Sequence, residues 1–162
     1  MSLVLPNSER RYEAEGGFTL LELVVVITIM LLLTSLALPL ARFQVQRTRE
    51  AQLRRDLREM REAIDRYKDY SDRGMIPTKV DSFGYPPDLE TLVKGVPLRG
   101  SATVKYKFLR KIPNDPVTGN ADWGMRSMQD DLGSHSWNGS NVFDVFSKSE
   151  SVALDGTRYA DW

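Results

Sequence analysis

Hydrophobic positions are spread very unevenly along the chain. Positions 18 to 38 read FTLLELVVVITIMLLLTSLAL, 21 residues with one charge, Glu22, and neither Gly nor Pro. At about 1.5 Å per residue, a helix over this run spans about 30 Å, the thickness of a bilayer's hydrocarbon core. A secretory h-region is shorter, about 7–15 residues, and ends in a small-residue cleavage site. Leu38-Pro39-Leu40-Ala41 supplies no such site. A buried core helix would need the rest of a short chain to wrap every face. The pattern therefore predicts a membrane-inserting helix over 18–38.

Pro39 follows directly and predicts a kink. Beyond it the helical pattern resumes over 39–73, with no further Pro or Gly before Gly74. Leu53, Leu57, Met60, Ile64 and Tyr67 recur at spacings of 4, 3, 4 and 3, the stripe of an amphipathic helix packed on a small core. Charges fill its other faces, with Glu62 favourably placed for Arg66 at i,i+4.

After Gly74 the texture changes to turns and short elements. Residues 88–95, DLETLVKG, predict a short helix with Leu89, Leu92 and Val93 on one face and Gly95 as C-cap. Runs at 104–108 (VKYKF) and 142–146 (VFDVF) predict strands. Pro113-Asn114-Asp115-Pro116 and Val117-Thr118-Gly119-Asn120 are turn chemistry. The expected architecture is α+β: a long N-terminal helix whose second half carries a head over 74–162 with a small antiparallel sheet.

Composition alone describes a bland soluble protein: 162 residues, 22 Lys plus Arg against 22 Asp plus Glu, and no Cys. Lack of cysteine excludes disulfides, thiolate metal sites and Cys nucleophiles. Charge is balanced overall but polarised along the chain. Positions 42–73 carry ten basic and seven acidic residues, net +3, whereas 113–162 carry three and eight, net −5. This asymmetry would let the stem of one copy attract the head of another. A DNA-binding basic helix is disfavoured, because acids interleave with its arginines and it follows a membrane anchor; no nucleic-acid partner is expected.

Glu22 is the informative residue of the apolar run. A carboxylate near the centre of a membrane helix costs about 2.5–3.5 kcal/mol and is usually paired or functional. Only four residues into the run, it could instead snorkel to the interface. Residues 16–22, GGFTLLE, resemble the processing site of type IV pilins and type II secretion pseudopilins. That resemblance implies cleavage by a prepilin peptidase between Gly17 and Phe18, releasing a leader over 1–17, and N-methylation of Phe18. Glu22 would then neutralise the new ammonium of a neighbouring copy and set the register between subunits. The positive-inside rule would place the arginine-rich flank after the run in the cytoplasm; the processing motif places it outside, and that orientation is adopted.

Within this superfamily YPPDLETLVKG, FLRKIPNDPVTGNADWGMRS, FDVFSKSESVALDG and the terminal Asp161-Trp162 resemble the major pseudopilin of type II secretion. The resemblance implies a type IV pilin-like fold, with a long kinked N-terminal helix, a C-terminal antiparallel sheet and a calcium-type loop. It also implies an inner-membrane, single-pass precursor with a periplasmic head, which polymerises into a periplasmic filament. The implied partners are other copies of the chain, minor pseudopilins, the prepilin peptidase, the inner-membrane assembly platform and, before assembly, lipid. The residues alone give a weak signal for metal: oxygen-bearing side chains between Asp144 and Asp161 without EF-hand spacing. Matching FSKSESVALDG to the family's loop implies Ca2+ held by the Lys148 carbonyl, Glu150 and Asp155, with Glu150 where an aspartate is usual and Ser151 where a glycine is.

No catalytic constellation is present in the pattern. His135 is the only imidazole and sits in a Gly-Ser-His-Ser loop with no orienting carboxylate specified. A structural subunit is expected rather than an enzyme. Two other readings stay open: an adhesive or motility pilus subunit, and a single-pass tether carrying a periplasmic binding domain or enzyme.

Overall fold

A computed structural model describes residues 17–162 except Leu132, and the side chains of all of these but 36–41, 80 and 101–103. The predicted leader, 1–17, thus lies outside the described residues apart from Gly17. The chain divides into two compact units, Met1–Arg42 and Phe43–Trp162. Helix α1, Leu20–Asp72, belongs to both. Pro39 does not end it.

In the first unit, α1 is capped by Thr19, whose Oγ1 accepts from Glu22 N at 3.1 Å and whose carbonyl accepts from Leu23 N at 3.1 Å. A threonine followed three residues later by glutamate is the capping-box pattern, and it fixes the first turn.

The second unit is α+β. The stripe predicted for α1 is its core: Leu53, Leu57, Met60, Ile64 and Tyr67 are all buried. The helix ends in a Schellman motif at Gly74 (φ 68°), with Met75 N donating to Tyr70 O at 2.9 Å and Gly74 N to Ser71 O at 2.8 Å. Only a residue tolerant of the left-handed region closes a helix this way. A 3-10 turn at Val80–Ser82 leads to α2, Leu89–Lys94. Asp88 caps α2 by accepting from Thr91 N at 2.6 Å, and the Gly95 N–H donates to Thr91 O. Leu89 and Leu92 are buried, and half-buried Val93 packs beside them as the sequence predicts.

Strands β1, Val96–Leu98, and β2, Ser101–Tyr106, form one antiparallel pair, while β3, Gly124–Arg126, and β4, Asp144–Phe146, form another. The small sheet is therefore two separate ribbons. Both expected strands are offset from the observed ones because backbone donors in them find other acceptors. Phe108 N and Leu109 N donate to Leu92 O of α2 at 3.0 and 3.1 Å, ending β2 before Phe108. Val142 N donates to Pro86 O at 2.8 Å, so the ladder begins only at Asp144. A 3-10 turn at Tyr159–Asp161 closes the chain against β4.

Candidate assembly helix and C-terminal loop

In the first unit every described apolar side chain of α1 is exposed, from Leu20 at 81% to Leu33 at 64%, as is Phe18 at 83%. The hydroxyls of Thr28, Thr34 and Ser35 are satisfied within the helix. Thr28 Oγ1 donates to Val24 O at 2.8 Å, Thr34 Oγ1 to Met30 O at 2.7 Å, and Ser35 Oγ to Leu32 O at 2.8 Å. Such back-bonding leaves a surface suited to an apolar surrounding. Among the described residues no helix is long and apolar enough to cross a membrane; the side chains at 36–38, the end of the predicted span, lie outside them.

Glu22 lies in the first turn of α1, and its side chain has no ion pair among the described residues. Its position gives it two compatible roles. The helix dipole favours a negative charge there, and the carboxylate is accessible to a cation from outside the chain. The Thr19 cap is local, and T-x-x-E at 19–22 is its sequence pattern. Gly17 and Phe18 precede the cap and are irregular and exposed.

In the second unit, residues 148–161 form a loop held against α1. Gln46 Nε2 donates to Val152 O at 3.3 Å, and Leu154 N donates to Glu50 Oε1 at 2.9 Å. Buried Tyr159 donates its hydroxyl to the same Glu50 oxygen at 3.0 Å, and its pKa is raised mainly by burial. Within the loop, Val152 and Arg158 form an isolated antiparallel bridge, with Ala153 N donating to Thr157 O at 2.8 Å.

The two carboxylates matched to calcium ligands each have another partner here. Asp155 Oδ1 accepts from Thr157 N at 3.0 Å and Thr157 Oγ1 at 2.6 Å, while Oδ2 faces Arg54 Nη2 at 3.2 Å. These hydrogen bonds from Thr157, then Arg54, hold the Asp155 carboxyl below the usual range. Glu150 faces Arg158 at 3.6 Å. The Lys148 ammonium pairs with Asp122, outside the loop. Among the described residues no three acidic or imidazole side chains gather as a metal group. Glu150 and Asp155 each face a guanidinium, and Arg158 is shared between Glu150 and Asp161. Calcium requires six to eight oxygens and uncompensated negative charge. A cation here would compete with Arg54 for Asp155 and with Arg158 for Glu150.

Two further charged arrangements hold the head together. Asp144 on β4 is bracketed by Arg61 of α1 at 2.7 Å and Arg126 of β3 at 3.2 Å. Arg61 Nη2 also donates to Val145 O at 3.0 Å and Trp162 O at 2.9 Å. Asp115 of the Pro-Asn-Asp-Pro turn is fully buried and receives Ser147 Oγ at 2.6 Å and Val117 N at 2.7 Å. His135 is exposed, with its ring 5.3 Å from that of Phe146.

No protein-family model matches this chain, and no curated protein or solved structure matches it significantly.

Proposed function

We propose that the chain is the precursor of a filament subunit of the type II secretion pseudopilus, with a type IV pilin-like fold. It is held in the inner membrane by the apolar run, cleaved after Gly17 and N-methylated at Phe18. The observation that carries this reading is the first part of α1, apolar on every face, with one carboxylate one turn from the Gly17-Phe18 junction. Cleavage exposes an ammonium at Phe18. Glu22 of a neighbouring copy accepts it as α1 helices leave lipid and pack on one another in the periplasmic filament. The amphipathic half of α1 and the head then form the filament's outer layer.

The α+β unit packed on the second half of α1, and the internally bonded hydroxyls of the first half, support this reading. Mass spectrometry of the mature amino terminus tests it directly. N-methyl-phenylalanine at Phe18 is the expected species; an uncleaved terminus, or one trimmed elsewhere, refutes the proposal. Secretion lost without loss of surface motility separates a pseudopilus role from an adhesive pilus.

A further inference from the structure

We propose that this head closes its C-terminal loop with an arginine-centred circuit in place of a bound cation, and that Arg54 of α1 is its hub. The circuit can be followed atom by atom. Arg54 Nη2 meets Asp155 Oδ2 at 3.2 Å. Asp155 Oδ1 receives the Thr157 hydroxyl at 2.6 Å, and that hydroxyl oxygen accepts Trp162 Nε1 at 2.7 Å. The Trp162 ring then lies under the Arg54 guanidinium, 3.9 Å from its centroid, and the ring of contacts is closed.

An ion pair, two hydrogen bonds and a cation–π contact make up the ring, and each fixes the next. The planar guanidinium serves the carboxylate through one edge and the indole through its face, which an ammonium could not do as well. Trp162 is further held by Arg61 through its carbonyl and by Tyr159 through an edge-on ring contact at 5.1 Å. On the other side of the loop, Arg158 joins Glu150 at 3.6 Å to Asp161 at 3.2 Å. The two guanidiniums thus meet the carboxylates matched to calcium and supply positive charge from the chain itself. A cation placed between Glu150 and Asp155 would have to displace both. The inference concerns the head alone and stands whether or not the chain enters a filament.

Hydrogen exchange of the full chain in detergent micelles tests it, read at the amides of Ala153, Leu154 and Thr157. Exchange in millimolar calcium and in chelator is expected to be the same; slower exchange in calcium overturns the proposal. Arg54→Gln is expected to accelerate exchange at these amides about fivefold, from loss of the ion pair and the cation–π contact together. Unchanged exchange in that variant also overturns it. Thr157→Val keeps the side chain's shape but removes the hydroxyl that links Asp155 to Trp162. It is expected to accelerate the same amides, and it reads the circuit independently should Arg54→Gln fail to fold. Unchanged exchange in Thr157→Val counts against the circuit equally.

Discussion

Replacing Asp115 tests the join between the Pro-Asn-Asp-Pro turn and the end of β4. Its carboxylate has no exposed surface and serves donors from two parts of the chain: Ser147 Oγ at 2.6 Å, and the amides of Val117 at 2.7 Å and Thr118 at 3.4 Å. Ser147 is itself fully buried and accepts from Ser149 N at 3.1 Å, so its proton has only Asp115 to go to. Asp115→Ala leaves the hydroxyl and the Val117 amide without acceptors. A buried donor left unsatisfied costs about 1–3 kcal/mol, so the variant should lose roughly 3 kcal/mol in all. Asp115→Asn keeps an acceptor for the turn amides but turns an NH2 toward the hydroxyl, and should lose about 1–2 kcal/mol. For a unit of this size about 1 kcal/mol corresponds to roughly 4 °C, which puts the alanine variant about 12 °C below the parent. Chemical denaturation followed by tryptophan fluorescence gives the free energies, and a cycle with Ser147→Ala should return a coupling of about 1–2 kcal/mol. Asp115→Ala losing less than about 1 kcal/mol, or no more than Asp115→Asn, would refute this account of the join.

Gly124 is kept as glycine by packing: a Cβ there would lie 2.3 Å from Cε2 of buried Phe146. Gly124→Ala should cost about 1–3 kcal/mol in thermal unfolding, and adding Phe146→Leu should recover part of it. Asp56 is buried on α1, and its pKa is raised, first by desolvation and against the hydrogen bond from Gln52. A carboxyl with a raised folded pKa binds its proton more tightly in the native state, so its contribution falls as pH rises through that value. Asp56→Asn should therefore raise the melting temperature at neutral pH, and the gain should vanish below about pH 4, where the unfolded-state carboxyl is also protonated. Arg61→Lys retains a charge for Asp144 but cannot reach the Val145 and Trp162 carbonyls together, and should lose about 1 kcal/mol by the same denaturation assay. Glu22→Ala should leave the membrane-bound amount of the chain unchanged while abolishing filaments; filaments formed at parental levels would remove Glu22 from assembly.

The parts of the fold legible in the sequence are those in which local chemistry decides the outcome. The stripe from Leu53 to Tyr67 is a helix in any setting that offers a core, and Asp88, Thr91 and Gly95 cap α2 with atoms from a single short segment. Strand limits were not legible, since they depend on Leu92 O and Pro86 O, acceptors far away in sequence that claim amides the β pattern would otherwise use. The loop at 148–161 shows the same limit more sharply. Its carboxylates were visible, but Arg54 is 101 residues from Asp155, and charge content does not say which cation a carboxylate meets. Thr19 differs again: its capping contact with the Glu22 amide is fully local, set by T-x-x-E at 19–22.

The proposed assembly has to explain what drives α1 from lipid into a filament, and the apolar surface does not supply the answer. Thirteen large apolar side chains between 18 and 33 are between 43% and 83% exposed. Leaving them in water costs on the order of 10 kcal/mol or more, comparable with the stability of a whole domain. Lipid and neighbouring helices relieve that cost almost equally, because acyl chains are as apolar as leucine. The run therefore determines that α1 is covered, and does not choose the cover. A discriminating term must come from a group that lipid serves badly and another subunit serves well. In the described run Glu22 is the one such group, and on the proposed reading cleavage supplies its counterpart, the ammonium at Phe18. Before cleavage the chain carries the carboxylate without that ammonium and gains little by leaving the bilayer. After it, each subunit presents both charges about one helical turn apart, and pairing between copies removes two unmatched charges at once. Processing after Gly17 would then act as the switch for polymerisation, changing no apolar contact and altering only which cover of the helix satisfies its charges.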